Sequence, residues 1–109
     1  MIRAAFQRDD CGRIVSFAMT GHSGYATSGQ DIVCAGVSAI AQTAIGSLQE
    51  LAAMNPDYRL DDGHIACHVT YPEDAEHALI GSSIMESVRI GCIQIQDSYG
   101  KTYLTVIDE

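Results

Sequence analysis

The chain has 109 residues, the length of one ordinary domain, and 47% of them are hydrophobic, enough to form a buried core. Fourteen acidic residues against six basic ones give a formal net charge of −8, which disfavours direct binding to nucleic acid phosphates. No uninterrupted apolar run is long enough to predict a membrane span, and the first residues lack the apolar centre of a secretory signal. We therefore expect a single cytoplasmic domain over residues 1–109 with no membrane association.

The N-terminal segment predicts a β-hairpin. Residues 2–8 and 13–20 have strand character, and residues 9–12, DDCG, form a turn between them. In the second strand, three apolar residues recur at period two and predict one buried face: Val15, Phe17 and Met19.

A glycine-rich loop and a long helix follow the hairpin. Residues 21–30 contain three glycines and small polar residues, which is typical of a loop. Apolar residues then recur every three or four positions and predict a helix over 32–53, with Asp31 as its N-cap and Asn55-Pro56 as its end. Many residues of this helix are small, so we expect it to pack closely against its neighbours.

The C-terminal half predicts alternating strands and one further helix. A short strand at 58–60 and a half-buried strand at 64–71 surround the turn 61–63. A second helix covers 76–98, within which Ser83-x-x-Glu86 has the form of a capping box. Residues 102–107 form the last strand. The predicted fold class is α+β, a mixed α/β domain of order β-β-α-β-α-β, with two helices on a small mixed sheet. A homodimer is consistent with the edge strands and apolar helix faces of so small a domain.

The four cysteines are widely spaced and include no CxxC pair, so they predict neither a zinc knuckle nor a dithiol redox centre. Cys67 and Cys92 lie on apolar faces and are expected to be inert, whereas Cys11 lies in a turn and is expected to be exposed. His64 and His68 share a strand face, but no third metal ligand is suggested. We expect neither a metal nor any other cofactor.

Cys34 differs from the other cysteines because it lies in the first turn of the predicted long helix. The partial positive charge and free amide hydrogens of a helix N-terminus favour a thiolate. The glycines between His22 and Cys34 allow the loop to bring the imidazole to the sulfur, where it can act as a general acid. Amide hydrogens of the same helical turn could then receive an oxyanion. The alternative is a small core cysteine and an unrelated loop histidine.

The residues around this pair resemble a known family. Gly21-His22-x-Gly24-Tyr25-Ala26 and Gly29-x-Asp31-Ile32-Val33-Cys34-Ala35-x-Val37-Ser38-Ala39 are similar to the motifs of the ribosomal-processing cysteine proteases, Prp. That family has GH at the end of a strand and DIVCAAVSA at the start of a helix. The order of the predicted elements and the chain length also fit the family.

The resemblance implies a cysteine endopeptidase whose catalytic dyad maps onto His22 and Cys34. It implies a ribosomal protein precursor as the peptide substrate: a bacterial large-subunit protein that loses a short N-terminal extension. It also implies a homodimer whose glycine-rich loop orders over the substrate. Asp31 and Ser38 match further polar positions of the motif, and Gly21 and Gly24 match its glycines, so all four are candidates for supporting or substrate-contacting roles.

The loop departs from the family pattern at Ser23, Thr27, Ser28 and Gln30, where relatives often have Ala, Glu or Lys, so the sequence does not specify the cleavage site. The acidic composition is consistent with a basic ribosomal substrate. A second hypothesis is a non-catalytic binding or assembly factor for a ribosomal protein that uses the same cleft.

Overall fold

The structure is a computed structural model that describes residues 1–109, and it consists of one sheet and one layer of helices. In chain order the elements are β1 (Ile2–Arg8), β2 (Ile14–Thr20), α1 (Ile32–Glu50), β3 (Asp57–Asp61), β4 (His64–His68), α2 (Ala75–Tyr99) and β5 (Leu104–Asp108). The strand order in the sheet is β3-β4-β2-β1-β5. One face of the sheet packs on both helices in a single hydrophobic core, which confirms the predicted mixed sheet with two helices.

The sheet is mixed because only β1 and β5 run parallel, whereas the other neighbouring strands are antiparallel. The predicted short strand at 58–60 is real and extends over Asp57–Asp61, so the full order is β-β-α-β-β-α-β. Both hairpins turn through a glycine with positive φ, Gly12 between β1 and β2 and Gly63 between β3 and β4.

A β-bulge changes which residue of β2 enters the core. Phe17 and Met19 are buried as predicted, but the third buried residue is Ile14 and not Val15. The register shifts where Gln7 pairs with Ser16 and Arg8 pairs with Ile14, so Val15 is the extra residue of the bulge. An extra residue reverses the alternation of side chains, and this places Ile14 on the core face.

The helices pack closely at glycines. A Cβ on Gly91 of α2 would lie 3.0 Å from Cδ1 of Ile40, and a Cβ on Gly36 of α1 would lie 3.4 Å from Cδ1 of Ile95. The small residues of α1 therefore allow the close approach that the sequence predicts. Arg89 of α2 also makes a bidentate ion pair with Asp108 of β5, with N–O distances of 2.8 and 2.7 Å.

The helix boundaries differ from the predicted ones. Helix α1 ends at Glu50, three residues before the predicted end. Its continuation is interrupted because Ala53 adopts a positive φ of 51°. Helix α2 begins after its N-cap Asp74, whose carboxylate accepts the His77 amide, so the predicted capping box at Ser83 lies in the middle of the helix.

Both helices are long and apolar enough, by length and composition alone, to cross a membrane. Each of them buries one side against the sheet or the other helix, and core helices of this kind pass the same test. The expectation that the chain does not associate with a membrane stays a prediction.

Candidate active site

Cys34 is the third residue of α1, and its half-buried side chain lines a cavity of about 660 Å³. The residue before the helix, Asp31, is the N-cap that the sequence predicts. Its Oδ1 accepts the amide hydrogens of Val33 and Cys34, both at 3.0 Å. The backbone that carries the thiol is therefore held by the side chain of Asp31.

The second carboxylate oxygen of Asp31 holds the glycine-rich loop. Oδ2 accepts hydrogen bonds from the hydroxyl of Ser23, from the Tyr25 amide at 3.2 Å and from the Ala26 amide at 3.4 Å. Burial of Asp31 raises the pKa of its carboxyl, but the hydrogen bonds from Ser23 and the backbone amides outweigh burial and lower this pKa to about 2. The buried carboxylate is thus ionised and joins the loop to the helix.

Ser23 brings the loop backbone to the thiol. Its side chain is buried, and its amide donates a hydrogen bond to Sγ of Cys34 at 3.4 Å. The amide of the residue that follows His22 therefore lies directly beside the candidate nucleophile.

Tyr25 connects the loop to the segment between α2 and β5. Its ring packs edge-on against Tyr99 at the end of α2, with 5.4 Å between centroids, and against Tyr103 before β5, with 5.2 Å. Residues 27–30 are exposed, and the Gln30 amide donates to the Thr27 carbonyl oxygen at 2.9 Å. The loop is thus held by Asp31 and the tyrosines over residues 23–26, and its remaining residues form an exposed turn.

His22 lines the same cavity as Cys34, and its side chain is 61% exposed. Its Nε2 lies 4.0 Å from Oδ1 of Asp62, in the turn between β3 and β4, and its ring lies against Gly63. No hydrogen bond joins the imidazole of His22 to the sulfur of Cys34 in this structure. The two residues line one cavity.

The cavity runs between one side of α1 and the β3–β4 hairpin. Ser38 and Gln42 follow Cys34 along this side of the helix. The side-chain amide of Gln42 donates a hydrogen bond through Nε2 to the Ser38 hydroxyl at 2.9 Å. On the opposite wall are the apolar residues Leu60 and Ile65, together with exposed carboxylates at the turn. The cavity has the shape of a groove and combines apolar, polar and acidic surfaces.

Gly21 and Gly24 adopt the positive φ values that glycine tolerates, 92° and 73°. A Cβ on Gly21 would lie 2.5 Å from the carbonyl oxygen of Met1, so no larger residue fits there without a shift of the backbone. Both glycines line the cavity beside His22. They allow the chain to turn sharply between the end of β2 and the anchored part of the loop.

The remaining cysteines lie outside the cavity. Cys67 and Cys92 are buried in the core, as predicted, and burial raises the pKa of their thiols to about 11 and about 12. Cys11 is exposed in the β1–β2 turn, as predicted. His64 lines the cavity, whereas His68 lies on the open face of the sheet. No group of three or more histidine, cysteine or acidic side chains has the arrangement of a metal site.

Three amides of the first helical turn are already hydrogen-bonded within the protein. The amide hydrogens of Val33 and Cys34 already bond to Asp31, and the Ala35 amide bonds to the Asp31 carbonyl at 3.0 Å. The first helical turn therefore has no free amide at these three residues to receive an oxyanion. The structure instead places the Ser23 amide next to the sulfur. In the sequence, Ser23 carries no signal for this contact, because it stands only as a loop residue that departs from the family pattern.

Comparisons with known proteins agree on one family. The model of a family described as cysteine protease Prp matches residues 1–104 of the chain. The ribosomal processing cysteine protease Prp of Bacillus subtilis is 34% identical over 103 residues, which cover 91% of this chain and 90% of the relative. The protein of the same name from Staphylococcus aureus is 30% identical over 91 residues, which cover 82% of this chain and 86% of the relative.

Solved structures show the same fold. The crystal structure of an essential ribosomal processing protease Prp from Staphylococcus aureus, in complex with a covalently linked product peptide, superimposes with a TM-score of 0.87 at 24% identity. The superposition covers 100% of both chains.

Proposed function

The chain belongs to the Prp family of cysteine proteases, and we propose that it removes the N-terminal extension of a bacterial large-subunit ribosomal protein, with Cys34 as the nucleophile and His22 as its acid–base partner. The single observation that carries the assignment of these residues is the shared cavity. It contains one thiol, which lies at a helix N-terminus, and it is also lined by His22.

The proposed reaction has two steps. The Cys34 thiolate attacks the scissile carbonyl and forms a tetrahedral oxyanion. His22, as imidazolium, gives its proton to the departing amine as the oxyanion collapses, the peptide C–N bond breaks and a thioester remains on Cys34. A water molecule, deprotonated by the now neutral His22, then attacks the thioester, releases the carboxylic acid product and restores the thiolate and the imidazolium.

The imidazole of His22 lies against Gly63, and the sulfur of Cys34 accepts from the Ser23 amide, without a hydrogen bond between the two side chains. Catalytic hydrogen bonds are often long in a free enzyme and shorten when substrate binds. The exposed side chain of His22 has room for this adjustment while its ring stays beside Gly63.

The Ser23 amide is the proposed oxyanion donor. This backbone N–H donates a hydrogen bond to the sulfur of Cys34. The substrate carbonyl that is attacked must approach the same sulfur and therefore comes close to this N–H. When the sulfur forms its bond to carbon, this amide is free to bond to the developing oxyanion. Asp31 supports the arrangement because it accepts from the Ser23 hydroxyl and from the Cys34 amide.

The groove favours an extended basic chain. Ser38 and Gln42 offer polar groups along one wall, Leu60 and Ile65 offer an apolar wall, and the exposed charges of the cavity are carboxylates. Together with the net charge of −8, these carboxylates attract a basic ribosomal protein and repel nucleic acid. Three further residues have supporting roles in the proposal. Ser38 offers a polar contact for substrate, and Gly21 and Gly24 allow the sharp turn beside His22. We also expect the enzyme to act as a homodimer in the cytoplasm.

The direct test is mass spectrometry of an extended large-subunit ribosomal protein before and after incubation with the enzyme. The proposal predicts one cut that removes the extension, no cut with Cys34→Ala, and normal cutting with Cys11→Ala as the matched control. Binding without any cleavage by the wild-type protein would favour the assembly-factor hypothesis.

A further inference from the structure

We propose that the turn between β3 and β4, Asp62-Gly63, positions the imidazole of His22, an inference that rests on the proposed catalytic role of His22. The turn is far from the Gly-His motif in sequence but lies next to it in the fold. Strand β2 pairs with β4 so that Thr20 lies opposite His64, and the residues beyond this pair meet at one end of the sheet.

Gly63 forms a surface for the imidazole ring. A Cβ at this position would lie 2.8 Å from Nε2 of His22, 3.4 Å from Cε1 and 3.5 Å from Cδ2. Three ring atoms therefore occupy the space that any side chain would fill. Gly63 also has a φ of 73°, but other glycines of the chain have positive φ values as well. The backbone angle therefore does not distinguish Gly63, whereas its contact with the imidazole does.

A backbone hydrogen bond fixes the same turn to the residue before His22. The Gly21 amide donates to the carbonyl oxygen of Gly63 at 2.9 Å. The backbone of His22 and the surface beneath its ring are thereby held at a constant separation. The turn can limit the positions of the imidazole without contacting the substrate.

Asp62 supplies a negative charge on one side of the ring. Its Oδ1 lies 4.0 Å from Nε2, which leaves Nδ1 of His22 for the sulfur and the leaving amine. Among the other ionisable groups of the cavity, Asp61 pairs with Arg59, Asp31 bonds to Ser23 and backbone amides, and His64 lies further along β4. Asp62 is thus the carboxylate that faces Nε2.

The two residues contribute unequally. The Asp62 side chain is 92% exposed, so water weakens its attraction for an imidazolium. Two unit charges 4 Å apart in water change an equilibrium constant by about fivefold. Displacement of a catalytic group has a larger effect on the rate, because a shift of about 1 Å from the reactive position can lower a rate by about 100-fold. Gly63 is therefore the main positioning residue.

A matched pair of glycine variants tests the role of Gly63. Gly63→Ala and Gly12→Ala both place alanine at a positive φ in a hairpin turn, 73° and 84°, but nothing lies within 4 Å of a Cβ on Gly12. After circular dichroism has shown that both variants are folded, we expect kcat to fall about 10- to 100-fold in Gly63→Ala alone, with little change in KM. Equal kcat values for the two variants would overturn the proposal.

The salt dependence of cleavage tests the role of Asp62. Asp62→Asn should lower kcat/KM by up to about fivefold at low salt, and the difference from the wild type should shrink as added salt screens the charge. Asp62→Glu should restore kcat/KM, and Asp10→Asn in the other hairpin should leave it unchanged. Equal kcat/KM values for Asp62→Asn and the wild type at low salt would overturn this role.

The variants Cys34→Ala and His22→Ala separate this inference from the proposed function. If both lose cleavage while Gly63→Ala behaves like Gly12→Ala, only the positioning role is wrong. If either one retains normal cleavage, the proposed dyad itself is wrong.

Discussion

Asp31 accepts the amide hydrogen of Cys34 at 3.0 Å through one carboxylate oxygen, while its other oxygen holds the loop that follows His22. One buried side chain thus connects the helix that carries the thiol with the loop that carries the histidine. Stability of the helix start and geometry of the active site should therefore depend on the same residue.

We expect Asp31→Ala to lower both stability and activity. Loss of an N-cap costs about 0.5–2 kcal/mol, and loss of the loop contacts should also lower kcat. The matched control is Asp74→Ala, which removes the N-cap of α2 at a distance from the cavity. Chemical denaturation should show a loss of stability in both variants, larger in Asp31→Ala because its carboxylate is buried and also holds the loop, whereas peptide cleavage should fall in Asp31→Ala only. Equal kcat values in the two variants would show that Asp31 is a helix cap alone.

The low pKa of Asp31 predicts a loss of stability in acid. The carboxyl has a pKa of about 2 in the folded protein and 3.8 as the reference value for an unfolded chain. A lowered pKa in the folded state stabilises the protein fully above pH 4, and this contribution is lost as pH falls from about 4 to about 2. Unfolding free energies measured over this range should depend less on pH in Asp31→Asn than in the wild type. Parallel pH curves would contradict the ionised, hydrogen-bonded carboxylate.

We expect Cys34 to react faster with iodoacetamide than the other three thiols near neutral pH. Burial protects Cys67 and Cys92 and raises their pKa values, so the informative comparison is with the exposed Cys11. Cys34 accepts a hydrogen bond from the Ser23 amide and lines the proposed active-site cavity, whereas Cys11 lies in a turn outside this cavity. Competitive labelling, followed by peptide mass spectrometry, measures the order in which the four thiols react. Faster labelling of Cys11 would argue against an activated nucleophile.

The glycine-rich loop should show two regimes of amide exchange. The amides of Tyr25 and Ala26 bond to Asp31, and the Tyr25 ring packs on Tyr99 and Tyr103, so these amides should exchange slowly. Residues 27–29 are exposed and their amides donate no hydrogen bond within the protein, so they should exchange fast. Tyr25→Ala should accelerate exchange at residues 23–26, with Tyr58→Ala at the sheet edge as the control. Uniformly fast exchange in the wild type would contradict the anchoring by Tyr25.

Local signals predict much of the fold and of the site. Glycines, an N-cap and helical periodicity are properties of neighbouring residues, so the hairpin, the start of α1 at Ile32 and the place of Cys34 in its first turn follow from the sequence. The contact between His22 and Gly63 does not follow, because it depends on how β2 and β4 pair in space. The bulge at Val15 and the anchoring of Tyr25 were missed for the same reason: each depends on a partner strand or helix that sequence spacing does not identify.

The central claim is that Cys34 is acylated during cleavage of the peptide bond. The most direct test is rapid acid quenching of the wild-type enzyme with an extended ribosomal peptide, followed by intact-protein mass spectrometry. We predict a transient species whose mass equals the enzyme plus the N-terminal peptide fragment minus one water, with the added mass on the peptide that contains Cys34. Cleavage that persists in Cys34→Ala, with no adduct on the wild-type protein, would contradict the account.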